Sequence, residues 1–116
     1  MDYTCGIVEV DPLAETILRK YIERISFLEI SWVHSFPEHA LSEEPVDLLF
    51  ANLREISVPA DDSFLHLTQR NQRVVVMSTY SKEVWRPLPN VIAYLEKPFS
   101  FETFVQTLEL FLEKYS

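Results

Sequence analysis

Residues 4–12, Thr4 to Pro12, read TCGIVEVDP, and this stretch decides the architecture. Thr4 to Val10 is short and almost continuously apolar, the pattern of a strand buried on both faces of a parallel sheet. It stops at Asp11–Pro12. An aspartate carboxylate accepts the free amides of a following turn, and proline at the first helical position forfeits no hydrogen bond, so a helix is expected to start there. Leu13, Ile17, Tyr21 and Ile25 then recur at every fourth residue, with Ala14, Leu18 and Ile22 widening the stripe. That predicts an amphipathic helix facing a core.

Outward from this unit the same alternation repeats. Leu28 to Val33 (LEISWV) reads as a less central strand, and a short helix is expected near Pro37 to Ser42. Val46 to Ala51 (VDLLFA) and Arg73 to Ser78 (RVVVMS) read as interior parallel strands. Between them, Asp61 and Asp62 precede Phe64, Leu65 and Leu67, which predicts a helix begun by acidic caps. Val91 to Leu95 (VIAYL) is a fifth strand. Ser100 then caps a final helix with a stripe of Phe101, Phe104, Val105, Leu108, Phe111, Leu112 and Tyr115. Five such alternations within 116 residues predict one α/β domain over 1–116, a parallel sheet with helices on both sides. Ligands of such sheets sit beyond the carboxyl ends of the strands. The candidate site therefore comprises Glu9, Val10 and Asp11, then Asn52, then Ser78 and Thr79, then Glu96, Lys97 and Pro98.

Composition removes several alternatives. The chain has one glycine, Gly6, so neither a Walker loop nor a dinucleotide fingerprint can be written. A net charge of -8 disfavours nucleic acid and anionic membrane alike. The single cysteine, Cys5, can form no internal disulfide and is expected as a buried thiol. No signal peptide and no membrane span is legible, which gives a cytoplasmic expectation. His34, His39 and His66 are too dispersed for a zinc site or a hydrolase triad and are expected at surface or edge positions.

Four segments, IVEVDP (Ile7 to Pro12), VDLLFANL (Val46 to Leu53), VVVMSTYS (Val74 to Ser81) and YLEKPF (Tyr94 to Phe99), together resemble the receiver domain of bacterial two-component response regulators. The resemblance spans nearly the whole chain. DPLAETILRKYIERISFLEI and LEKPFSFETF are similar in particular to receivers of LytTR-type regulators, in which a DNA-binding domain follows, whereas this sequence stops at Ser116. It implies a CheY-like, flavodoxin-like (βα)5 fold with strand order 2-1-3-4-5. It also implies a phosphoryl group passed from a kinase histidine to an aspartate after the third strand, with Mg²⁺ offsetting the charge.

Carried over residue by residue, Glu9 falls on the first acid of the metal site and Val10 on the second. Asn52 falls on the phosphoacceptor, Ser78 on the hydroxyl, Lys97 on the lysine and Tyr94 on the aromatic switch. Two positions depart. An amide cannot form an acyl phosphate, and valine withholds an oxygen from a cation that wants octahedral oxygen coordination. Mg²⁺ binding is therefore expected to be weak or absent, with no cofactor and no enzymatic activity. Glu9 and Lys97 are expected to neutralise each other by direct contact or through water. Asp11 is expected to cap its helix.

The expected function is that of a pseudo-receiver acting by phosphorylation-independent protein-protein interaction. Its partner would be a kinase, a regulator or its own copy, through a face containing Tyr94, Trp85, Phe99 and the last helix. Tyr94 is expected at an edge with a fixed rotamer. Pro87 and Pro89 predict a short or displaced helix around Trp85, and EISVPADD (Glu55 to Asp62) a remodelled loop after Asn52. Two alternatives stand beside this one. One is a phosphorylatable regulator that uses Asp11 or another acid, or whose Asn52 is an engineered change; the other is a small-molecule sensor at the pocket beyond the strands.

Overall fold

The computed structural model describes residues 2–52, 62–79 and 90–115. The expectations for the loop after Asn52 and for Trp85, Pro87 and Pro89 lie outside the described residues. Strands β1 (Tyr3–Val8), β2 (Leu28–His34), β3 (Leu48–Asn52), β4 (Val74–Ser78) and β5 (Val91–Glu96) form one parallel sheet in the order β2-β1-β3-β4-β5. This is the flavodoxin-like order 2-1-3-4-5. The described helices are α1 (Pro12–Glu23), α2 (Pro37–Ala40), α3 (Asp62–Arg70) and α4 (Phe101–Tyr115).

The period-two geometry of a strand sorts each run into two cores. Cys5 and Ile7, Leu48 and Phe50, Val75 and Met77, and Leu95 point to one side, where they meet Leu18 and Ile22 of α1 and Phe104, Leu108 and Phe111 of α4. Val8, Leu49 and Ala51, and Val74 and Val76 point to the other, against Ala40 of α2 and Phe64 and Leu67 of α3. Both faces are therefore covered, which is why β3 and β4 read as unbroken apolar runs. Phe50 and Phe104 stack across the first core with ring centroids 5.6 Å apart.

Two of the expected caps are made. Asp11 Oδ1 accepts from the Leu13 amide at 3.0 Å, with Pro12 opening α1. Ser100 Oγ accepts from the Thr103 amide at 3.1 Å at the head of α4. Asp62 is the first residue of α3, and Asp61 lies outside the described residues.

The apolar stripe of α1 is corrected. Leu18 and Ile22 are buried, but Leu13 is 68% and Ile17 39% exposed. A step of four residues advances about 400° around a helix of 3.6 residues per turn, so a strict four-residue repeat drifts about 40° per step. Leu13 and Ile17 thereby leave the buried side that Leu18 and Ile22 define. The same drift leaves Leu112 of α4 exposed, while Phe104, Leu108 and Phe111 are buried.

Cys5 is fully buried, and burial pushes its thiol up from 9.0 to about 12. Among the described residues no helix is long and apolar enough to cross a membrane.

Candidate functional site

Register brings the candidate residues together at the carboxyl edge of the sheet. Val8 pairs with Ala51, so Glu9 and Asn52 leave adjacent strands side by side. Asn52 pairs with Met77, and Ser78 pairs with Glu96, which places Lys97 next to the end of β4. The Lys97 amide donates to the Ser78 carbonyl at 2.6 Å. The Lys97–Pro98 peptide bond is cis.

Glu9 is the electrostatic centre of this edge. Its backbone amide continues the β1–β2 ladder by donating to the His34 carbonyl at 3.0 Å, which turns its side chain into the molecule. The carboxylate is 1% exposed, and its Oε1 accepts from Lys97 Nζ at 2.8 Å. Oε2 accepts from the Asp11 amide at 3.2 Å. Both oxygens are thus engaged. The Lys97 side chain is 14% exposed, so the pair is largely desolvated and each ion depends on the other. The direct contact expected between these residues is made.

The other expected residues fall around this pair. Val10 is half-buried and brings no polar atom to it, and Asn52 is half-buried at the end of β3. Ser78 is 2% exposed. Asp11 is exposed and serves as the helix cap, where its backbone amide also orients Glu9. Tyr94 lies half-buried against the second core, and Phe99 packs at the edge of the first. These two side chains are therefore on opposite sides of the sheet. Trp85 lies outside the described residues.

Mg²⁺ takes oxygen ligands in near-octahedral geometry. Glu9 has both oxygens in use, Val10 has none to give, and among the described residues no group of three His, Cys, Asp or Glu side chains could hold a metal ion.

Sequence reasoning missed two features. One is that the pocket expected beyond the strands extends along α1 as a cleft of about 360 Å³, lined by Leu13, Ile17, Tyr21, Met77 and Phe99 above the Glu9–Lys97 pair. Assigning Leu13 and Ile17 to the core hid it, and the four-residue drift was the signal that could have found it. The other is a hydrogen bond between His34 Nε2 and Glu43 Oε2 at 2.8 Å, which ties the end of β2 to the segment after α2. A histidine nine residues from a glutamate carries no sequence signal for it.

No protein-family model matches the sequence, and neither does any curated protein. Among solved structures, the chain is similar to the signal receiver domain of a modulated diguanylate cyclase from Desulfovibrio desulfuricans. That match has a TM-score of 0.76 at 19% identity over 98% of this chain and 96% of that one. The response regulatory domain of protein mrkE from Klebsiella pneumoniae gives a TM-score of 0.72 at 18% identity over 97% of each chain. The N-terminal domain of a response regulator/sensory box/GGDEF protein from Carboxydothermus hydrogenoformans gives 0.75 at 16% identity over 97% and 95%. The sheet order, the paired cores and these neighbours together give this chain the fold of response-regulator receiver domains.

Proposed function

We propose that the chain is a receiver-type signalling domain that does not take up a phosphoryl group and works by contact with another protein, held in one conformation by its own sequence. The observation that carries this reading is the closed Glu9–Lys97 pair beside Asn52 and Val10. In the resembled family the lysine meets the phosphoryl oxygens. Here Lys97 is already neutralised, the acceptor position holds an amide that cannot attack phosphorus, and the second acid is valine. The similarity to LytTR-type receivers, the resulting weak affinity for Mg²⁺, a bacterial cytoplasmic setting, and a kinase, regulator or second copy as partner belong to the same reading.

The contact face in this reading is the β5 edge of the sheet, with Tyr94, together with α4; Phe99 lies on the other side of the sheet from Tyr94, and Trp85 lies outside the described residues. A net charge of -8 favours a protein partner over nucleic acid. The alternative acceptor, Asp11, is engaged at the helix start, and the cap accounts for an aspartate there without any phosphoryl chemistry. The test is NMR of the whole chain with Mg²⁺ and beryllofluoride. The expected result is an unchanged spectrum at Ser78, Tyr94 and Lys97. Concerted shifts at all three would overturn the proposal.

A further inference from the structure

The cleft between α1 and the segment after β5 shares Glu9, Asp11, Thr79, Lys97 and Pro98 with the candidate site and extends from it along α1, while Asn52 and Ser78 do not line it. Its volume of about 360 Å³ is within the range of small-ligand sites. It corresponds to about a dozen water molecules at roughly 30 Å³ each. The walls are apolar: Leu13, Ala14 and Ile17 of α1, Tyr21, Met77 at the end of β4, and Pro98 and Phe99. The Tyr21 hydroxyl donates to the Phe99 carbonyl at 3.1 Å, which fixes the two aromatic walls to each other. Exposed leucine and isoleucine at one mouth are costly in water and are not needed by the core, which closes on Leu18 and Ile22.

The polar end selects the charge of an occupant. Three ionised groups line the cleft: Glu9, Lys97 and Asp11. Glu9 and Lys97 cancel at 2.8 Å. Asp11 has no cation within ion-pair distance among the described residues, and only its Oδ1 is occupied, by the Leu13 amide. Among the described residues, one net negative side-chain charge therefore stands at the rim of an apolar cavity. An anion would meet repulsion there, whereas a cation would gain an attraction that an uncharged molecule would not.

We propose that this cleft binds a small organic amine, a protonated ammonium on a compact apolar body, with the ammonium at Asp11 and the body between Ile17, Tyr21, Met77 and Phe99. The site does not depend on the reading of Asn52 and Val10, since a phosphorylatable chain would keep the same walls.

The test is an NMR titration of the whole chain with three matched probes: 2-phenylethylamine, 2-phenylethanol and 3-phenylpropanoate. Saturable shifts are expected at the backbone amides of Ala14, Ile17, Lys97 and Phe99, with the amine tightest and the acid weakest. Asp11→Asn keeps a good helix cap. It should weaken the amine about three- to fivefold, the worth of one partly exposed ion pair, and leave the alcohol unchanged. Ile17→Lys, at a position outside the core, should abolish binding of amine and alcohol together. The proposal fails if the acid binds as tightly as the amine, if Asp11→Asn has no effect on the amine, or if shifts scatter over the surface without saturating. It fails equally if the same amides shift on dilution without any probe, because a second copy then covers this face.

Discussion

Gly6 has no room for a side chain, because a Cβ built on it would stand 2.6 Å from the ring of Trp32. The register between β1 and β2 shifts between Cys5 and Gly6, which sets Trp32 opposite the glycine, and the indole donates to the Glu44 carbonyl at 3.2 Å. The ring is thus anchored and cannot swing aside freely. Gly6→Ala is expected to destabilise by about 1–3 kcal/mol through overpacking. In a urea-denaturation cycle that loss should shrink when Trp32 is also Ala. The lone glycine was legible as an exclusion of phosphate-cradling loops, but its packing role was not, since a cross-strand partner depends on register. Cys5 next to it gives a second test. Below the unfolded thiol's pKa both states keep the proton and Cys5 adds no pH dependence. Between 9.0 and about 12 the unfolded chain has lost the proton that the folded chain retains. Stability should then fall with rising pH by about 1.4 kcal/mol per unit in that window. Cys5→Val should remove that slope relative to the parent chain, measured as the difference between their denaturation midpoints across the window.

At the scale of the element, α1 shows what periodicity can and cannot say. Its existence, its cap and its amphipathic character were legible from Asp11, Pro12 and the apolar spacing. Its buried face was not, because seven apolar positions between Leu13 and Ile25 cover more of the helix than one sheet face can bury. Taking Leu18 and Ile22 as the centre of the buried face, about 100° per residue puts Ile25 and Ala14 near its flanks, Tyr21 at the boundary and Ile17 and Leu13 beyond it. The observed gradient from buried through half-buried to exposed follows that order. Leu18→Ala should therefore cost about 2–5 kcal/mol, whereas Ile17→Lys should stay within roughly 0.5 kcal/mol. Chemical denaturation of the two variants checks this, and equal losses would contradict the assignment of faces. Strands carried more information than helices here. With both faces buried, β3 and β4 have no polar side to misplace, and only their ends shifted from the expected bounds.

For the whole molecule, the sheet order was legible because five short strands alternating with helical segments leave few topologies, and the site followed from the strand ends. The Glu9–Lys97 contact at that site was legible too; what the sequence could not supply was the burial of the pair and the engagement of the second Glu9 oxygen by the Asp11 amide. Glu9 is buried only because Lys97, 88 residues away along the chain, lies at 2.8 Å from it. Lys97→Met should leave that carboxylate without its partner and cost about 3–5 kcal/mol, while adding Glu9→Leu should recover most of the loss, because an apolar pair replaces a desolvated one. The same pair governs the response to metal. In the parent chain, millimolar Mg²⁺ should not move the thermal midpoint, since binding would require Glu9 to surrender Lys97 with no second acid at Val10 to compensate. Val10→Asp together with Asn52→Asp would set three carboxylates around one point on adjacent strand ends, more negative charge than a single ammonium can neutralise. That variant should be less stable than the parent in chelator and should regain about 2.7 kcal/mol at a Mg²⁺ concentration of about 100 times its dissociation constant. A parent chain stabilised by Mg²⁺ as strongly as the double variant would show that the edge accepts the cation without those carboxylates, and the Glu9–Lys97 pair would then not be what closes it.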